Sequence, residues 1–591
     1  MEGIIKKTLY INLGGAVLDA LIKKKYEEWL NSDAISAEDK EELKKLAGDE
    51  KEIVERFYKD LDFGTGGLRG VRGLGTNRMN RYVIRKVTQG LANYMLQSDA
   101  DAKKKGIVIA YDSRIQSDEF AINTALVMAA NGIKAYLFES LRATPELSFA
   151  VRELGALAGI VITASHNPSE YNGYKVYWDD GAQVVAPHDE LIIKEVNNIT
   201  DLSQVKFMEE SAAKANGTLE IIGAELDDKF IAAIKKRAVN PEAVAKVADS
   251  FKIVYTPLNG TGNRPVKRIL SEIGFKNVYV VPEQEMPDGN FTTVGYPNPE
   301  EPKVFKLGIE LAEKVGADTV MATDPDADRV GIAIKKADGS WMYPNGNQVG
   351  ILLSEYILTN MKKVPENGVI ISTIVSTPML DAVARANSVE IMRVLTGFKF
   401  IGEKIKEFEK TGSHEYIFGF EESYGYLSGT HARDKDAIVA TMLIAEMAAY
   451  FNSKGSSIEK ELAKIYEKYG YYREGIEAVT MAGKEGLEKI DKLMADLRSN
   501  PPMEIAGRKV KLFKDFKLKT ELNCATKERT ALTLPASNVL QFILEDDTYI
   551  TARPSGTEPK IKFYFGVNDK DKEKVEAKLD DTMKQFLSMV M

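Results

Sequence analysis

Three aspartates alternate in DPDADR, at Asp324, Asp326 and Asp328, directly after an apolar run. Carboxylates crowded together repel, and burying each ion costs roughly several kcal/mol, so the pattern asks for a cation. A divalent metal with hard oxygen ligands meets that need. An EF-hand also begins D-x-D-x-D, but it requires Gly at the sixth position and Glu at the twelfth, where this chain has Arg329 and Lys335. A solvated acidic turn is the alternative, and the apolar flanks VMAT and VGIAI weigh against it.

TASHNP sets Ser165 beside His166. Sequence neighbours rarely form a nucleophile–base pair, and no G-x-S-x-G is present, so a serine-protease reading is weak. A serine on a tight loop near a metal and cations suits a phosphoryl carrier; an ordinary helix cap with Asn167-Pro168 turn chemistry is the alternative. RPSGTEPK collects Arg553, Ser555, Gly556 and Thr557. Freed backbone N–H groups, two hydroxyls and a guanidinium fork make a phosphate cradle, or else a surface turn. FGTGGLRG carries Arg69 but matches neither the P-loop nor the dinucleotide fingerprint. FEESYG offers Glu421, Glu422 and Ser423 to sugar hydroxyls, against the reading of a charged turn. Four histidines and no H-E-x-x-H leave zinc hydrolysis without support.

The elements that must position these groups recur three times. Strand, helix, strand, helix, strand runs from GIVIAYDSR to AGIVITASHNP, from FKIVYTPLNG to DTVMATDPDADR, and from VIISTIVSTP to EYIFGFEESYG. Short buried strands alternating with amphipathic helices predict α/β domains with mixed, mostly parallel sheets. In such sheets ligands bind beyond the carboxyl ends of the strands, where ASHNP, DPDADR and FEES fall, so three equivalent loops are expected to face one central cleft. From about residue 471 strands and helices mix, predicting a C-terminal α+β domain with the 553–560 loop between strands. The expected division is 1–210, with an N-terminal helical extension and the serine loop; 211–345, with the metal loop; 346–460, with the sugar loop; and 461–591, with the phosphate loop. Ser36 and Asp39 mark a helix start in the extension.

The chain has 591 residues, and at about 150 per domain that leaves room for roughly four. A net charge of −8 without basic runs argues against nucleic acid or an anionic membrane as partner, so an anionic substrate must be held by locally placed cations. A lone cysteine, Cys524, excludes an intramolecular disulfide framework and fits a reducing, cytoplasmic setting. The segment TLYINLGGAVLDALI reads as the start of an amphipathic helix rather than a signal peptide, and AIVATMLIAEMAAYF, which carries Glu446, reads as a buried core helix.

Together the loops resemble the α-D-phosphohexomutase superfamily, and within it the phosphoglucomutase branch. FGTGGLRG, TASHNPSEYNGYK, DPDADR, TGFKFIGE, GFEESYG, RDKDA and RPSGTEPK follow in the expected order from about Phe63 to Phe565. The resemblance implies that Ser165 is a phosphoserine and that Asp324, Asp326 and Asp328 bind Mg²⁺ with an oxygen on Ser165. It implies Lys175 as general acid/base, with His166, Arg69 and Arg329 around the transferring phosphoryl group. Substrate contacts would come from Thr396, Gly397, Lys399, Glu421, Ser423 and Lys435, and the non-reacting phosphate would rest on Arg553, Ser555, Gly556 and Thr557. The implied reaction interconverts glucose 1-phosphate and glucose 6-phosphate through glucose 1,6-bisphosphate; phosphopentomutase or phosphomannomutase activity, or non-catalytic phosphosugar binding, are the alternatives. Phe420, Asn259 and Lys562 stand where relatives commonly have Gly, His and Arg, and YWDDGAQV and VPEQEMPDGNFTTVGYPNPEE resemble the branch that includes phosphopentomutases. Ser423 points away from the pentose-preferring members, which tend to have Ala there.

Overall fold

Ser36 accepts from the backbone N–H of Asp39 and so caps the helix Ala37–Lys44, as its sequence requires. Its neighbours Ala20–Asn31 and Glu50–Phe57 pack Tyr26 and Trp29 edge-on against Phe57, and Trp29 packs edge-on against Tyr82 of the helix Arg81–Ser98, which ties the extension to the first domain. The computed structural model describes residues 20–64, 66–481, 483–555 and 560–590. The helix expected to begin near Thr8 therefore lies outside the described residues up to position 19, and Gly556 and Thr557 lie outside them as well.

The first sheet holds β1 (Gly67–Val71), β2 (Ile107–Tyr111), β3 (Ala135–Phe138), β4 (Ala158–Ile162), β5 (Tyr171–Trp178) and β6 (Leu219–Ile222), in the order β1-β5-β4-β2-β3-β6. The second holds β7 (Lys252–Thr256), β8 (Asn277–Val280), β9 (Thr319–Thr323), β10 (Val330–Lys335) and β11 (Trp341–Met342), in the order β11-β10-β9-β7-β8. The third holds β12 (Gly368–Thr373), β13 (Glu390–Val394), β14 (Glu415–Glu421) and β15 (Gly425–Ser428), in the order β13-β12-β14-β15. Within each recurring series the pairing is parallel. The strands β4, β9 and β12 are buried along their whole length, because helices cover both faces.

Each series then adds a strand that the recurrence does not announce. β5, β10 and β15 return antiparallel to β4, β9 and β14. The serine, metal and sugar loops are thus the connections of three equivalent hairpins, each rooted in a buried strand.

The fourth sheet is antiparallel and eight-stranded, and β16 (Tyr471–Thr480) pairs along its whole length with the strand Lys560–Asp569. Ile490 and Met494 on one helix and Phe586 on the last helix pack with Phe542, Phe563 and Phe565. The helix Ala437–Ser453 is the buried core helix its composition predicts. Its Glu446 accepts from the backbone N–H groups of Val239 and Asn240 and from the Tyr356 hydroxyl at 2.6 Å, which satisfies the carboxylate inside the core.

Candidate active site

The serine loop meets the acidic loop across the boundary between the first two sheets. Ser165 takes the left-handed conformation, at φ +53°, and is buried. Its Oγ donates to Asp324 Oδ2 at 2.7 Å. The same backbone turn puts His166 Nδ1 3.2 Å from that Oγ. Burial, then the positive charges of Arg329 and Arg69, hold the His166 imidazole well below its ordinary pKa, so it is neutral near pH 7.

Asp324, Asp326 and Asp328 are all buried, and their carboxylate oxygens lie within 4.8 Å of one another. Neighbouring sheets supply the cations. Lys175, on β5, reaches Asp326 at 2.7 Å and Asp328 at 3.2 Å; Lys435, after the sugar hairpin, reaches Asp328 at 3.1 Å. Burial alone would lower the pKa of both lysines, yet the aspartate charges outweigh it and both are raised. Asp328 is held far below the usual carboxylate range, since Lys175, Lys435 and Arg329 overcome its desolvation. Asp324 goes the other way: burial and the charges of Asp326 and Asp328 push its carboxyl well above normal. One oxygen each of Asp326 and Asp328 is buried with no hydrogen-bond partner. Unpaired acceptors and a carboxyl that resists ionisation fit a divalent metal, which would take up the spare lone pairs and restore the charge on Asp324.

Arg329 pairs with Glu300 at 2.8 Å, and its residue bridges to Gly425 of the sugar hairpin. Arg69 lies on β1, opposite Gly173 of β5, and donates to Asn167 Oδ1 at 3.3 Å. That pairing needs Gly67, whose φ of +138° and contact with the Tyr174 carbonyl leave no room for a Cβ. In the sugar loop, Glu421 Oε1 accepts from the Gly397 N–H at 2.8 Å, and Thr396 Oγ1 is buried without a partner, an open hydrogen-bonding position at the loop. Lys399 lines a cavity of about 180 Å³ together with Trp178 and His188. Ser423 follows Glu422 at the tip between β14 and β15.

In the fourth sheet Arg553 faces Lys562 across a strand pair and hydrogen-bonds Tyr564, and the Ser555 N–H donates to the Lys560 carbonyl at 2.7 Å. The Glu422 carboxyl, pushed up to about 7 by burial and by Glu421, feels the Arg553 charge as a lowering influence. The positions singled out as substrate-linked departures divide. Phe420 is fully buried, with its ring against Gly350, so it belongs to the core rather than to a sugar contact. Asn259 donates to the carbonyls of Glu283 and Met286.

Sequence reasoning assigned no role to Arg114, Glu300, Thr144 or Asp434. Thr144 donates to Asp326 Oδ2 at 2.9 Å, and Tyr177 to Asp434 Oδ2 at 2.7 Å. Asp434 stood inside RDKDA without a role of its own, and the DSR that follows β2 carried a local signal, a charged pair leaving a buried strand.

Comparison with known proteins agrees with this geometry. The phosphoglucomutase/phosphomannomutase α/β/α domains I, II and III match residues 60–203, 228–339 and 345–469. A phosphoglucomutase of Staphylococcus aureus strain MRSA252 is 40% identical over 528 residues, covering 89% of this chain and 93% of that protein. Two solved structures share the fold. A phosphoglucomutase/phosphomannomutase family protein from Burkholderia thailandensis has a TM-score of 0.62 at 19% identity over 89% of this chain and 97% of its own. The open form of Paramecium pp63/parafusin has a TM-score of 0.65 at 17% identity, over 90% and 95%. With the serine and aspartate loops meeting as described and these matches spanning three of its four sheets, the chain belongs to the phosphoglucomutase/phosphomannomutase family of the α-D-phosphohexomutase superfamily.

Proposed function

We propose that the protein interconverts α-D-glucose 1-phosphate and glucose 6-phosphate, with Ser165 as the phosphoryl carrier and glucose 1,6-bisphosphate as the intermediate. The observation that carries this reading is the contact of Ser165 Oγ with Asp324 inside a buried acidic cluster that also engages Lys175. The relatives named phosphoglucomutase support the sugar.

Phosphoserine 165 gives its phosphoryl group to the free sugar hydroxyl: the bond from phosphorus to the serine oxygen breaks as one to the sugar oxygen forms. The proton leaving the sugar hydroxyl ends on Ser165 Oγ, and Lys175, held against the same carboxylates, is placed to relay it. Mg²⁺ held by Asp324, Asp326 and Asp328 together with the Ser165 phosphate would neutralise charge on the transferring oxygens. Arg69 and Arg329 add fixed positive charge, and neutral His166 contributes a hydrogen bond to the serine oxygen. Thr396, Gly397, Lys399, Glu421, Ser423 and Lys435 would hold the sugar, and Arg553, Ser555, Gly556 and Thr557 the other phosphate. The bisphosphate then reorients and returns its second phosphate to Ser165, so both ends of the substrate must fit both sites.

The same proposal places the protein in the cytoplasm and divides the chain at 210, 345 and 460. Among the described residues no helix is long and apolar enough to cross a membrane. Intact-mass measurement should find a phosphate adduct on Ser165, and kinetics on glucose, mannose and ribose phosphates should favour glucose. Near-normal turnover by Ser165→Ala would refute the mechanism, and a strong ribose preference would replace the substrate.

A further inference from the structure

We infer that Arg114 is a positioning residue for phosphoryl transfer, the internal frame on which the Ser165 loop is hung. Resting on the mutase reading of Ser165, the inference assigns a role to a side chain that touches no substrate-binding group. The Arg114 guanidinium is fully buried. Nη2 donates to the carbonyls of Ser165 at 2.6 Å and Asn167 at 2.5 Å, while Nη1 donates to those of Pro168 at 2.8 Å and Tyr171 at 3.1 Å. One planar fork therefore satisfies four carbonyls within seven residues, a task for which a lysine ammonium has neither the shape nor the donors.

The charge is balanced by Asp112, also fully buried, at 3.3 Å. Asp112 accepts from Thr163 Oγ1 at 2.7 Å, and Thr163 Oγ1 accepts in turn from the Ser165 N–H at 2.7 Å. Both sides of the Ser165 backbone are thus tied to one ion pair, and this holds a non-glycine residue at positive φ.

A second contact links the frame to the other half of the site. The Phe291 ring, from the second domain, lies 4.9 Å from the guanidinium and is fully buried. Its neighbour Gly289 presses so closely on the Arg114 loop that an added Cβ would come within 2.7 Å of the Ile115 nitrogen. The domain that carries Asp324 is therefore seated directly on the residue that fixes Ser165, which makes Arg114 the part that sets the 2.7 Å approach of Ser165 to Asp324.

Arg114→Lys keeps the charge opposite Asp112 and loses the fork. Because small misplacement of a reacting group costs about 100-fold, kcat should fall on that order while KM for glucose 1-phosphate stays within about threefold. Phe291→Leu keeps the apolar fill and removes the ring, and should lower kcat by about tenfold with KM again held. Arg114→Lys with unchanged kcat, or with KM raised at constant kcat, overturns the inference; if Arg114→Lys does not fold, the same split measured on Phe291→Leu decides. A wild-type enzyme that takes up no phosphate on Ser165 from glucose 1,6-bisphosphate would instead sink the mutase reading, so the two failures are separate.

Discussion

Ser165 stands at φ +53°, where a side chain costs about 1–3 kcal/mol that only the surrounding hydrogen bonds can hold in place. Replacing the side chain separates that strain from the chemistry. Ser165→Ala and Ser165→Gly should both be inactive, yet the Gly variant should be the more stable by about 1 kcal/mol in urea unfolding, since it alone relieves the backbone. Equal stability would mean that the loop carries no strain. Glu422 gives a pH-dependent counterpart. Its folded pKa of about 7 lies above the ordinary value of 4.5, so the folded state binds the extra proton between those limits and stability falls as pH rises through that window. Glu422→Gln should match wild type near pH 5 and melt higher than it at pH 8, by about 2–4 °C; parallel curves would count against the shift. At this scale the sequence showed whatever shares one short loop: three alternate aspartates or a serine beside a histidine need no fold to be noticed. The contacts of Arg114 and of Asp434 were hidden because their partners, Ser165 and Tyr177, lie 51 and 257 positions away.

Among the elements, apolar runs and their spacing disclosed the strands that lie buried on both faces, because burial leaves a continuous hydrophobic signature. The antiparallel strands β5, β10 and β15 were not told apart as hairpin returns, although β10 shows as the apolar run VGIAI, since a return is specified by register against its neighbour rather than by composition. The core helix Ala437–Ser453 shows how one residue can belong to two elements. Its Glu446 accepts from the Val239 and Asn240 N–H groups, just ahead of the helix Pro241–Val247, and from Tyr356. Glu446→Ala removes the acceptor and leaves the buried Tyr356 hydroxyl and the half-buried Val239 and Asn240 N–H groups unpaired, so we expect a loss of about 3 kcal/mol in denaturant unfolding with KM unchanged. Glu446→Gln, which keeps an acceptor oxygen, should recover much of it. A change below about 0.5 kcal/mol in the Ala variant would show that the donors find other partners.

Across the whole molecule, the acidic cluster belongs to the second sheet, its serine and one lysine come from the first, and its other lysine follows the third. Length alone suggested about four domains; that their loops converge could be expected from strand-end equivalence but not measured without coordinates. The fourth sheet joins the third through the loop after β12, where Tyr549 donates to the Val375 carbonyl at 2.7 Å and Gln541 to that of Ile374 at 2.8 Å. Under the proposed mechanism this seam has to keep the bisphosphate within reach while it reorients, since Arg553 lies on one side and Glu421 on the other. Combining Tyr549→Phe with Gln541→Ala removes both hydrogen bonds and leaves the Ser165–Asp324 pair intact. Escape of the intermediate would leave Ser165 without its phosphate, so turnover on glucose 1-phosphate alone should decay during the assay. Added glucose 1,6-bisphosphate should restore the rate to within about twofold of wild type, because the chemical step is untouched. A double variant whose progress curve stays linear without the bisphosphate would show that retention of the intermediate does not depend on this seam.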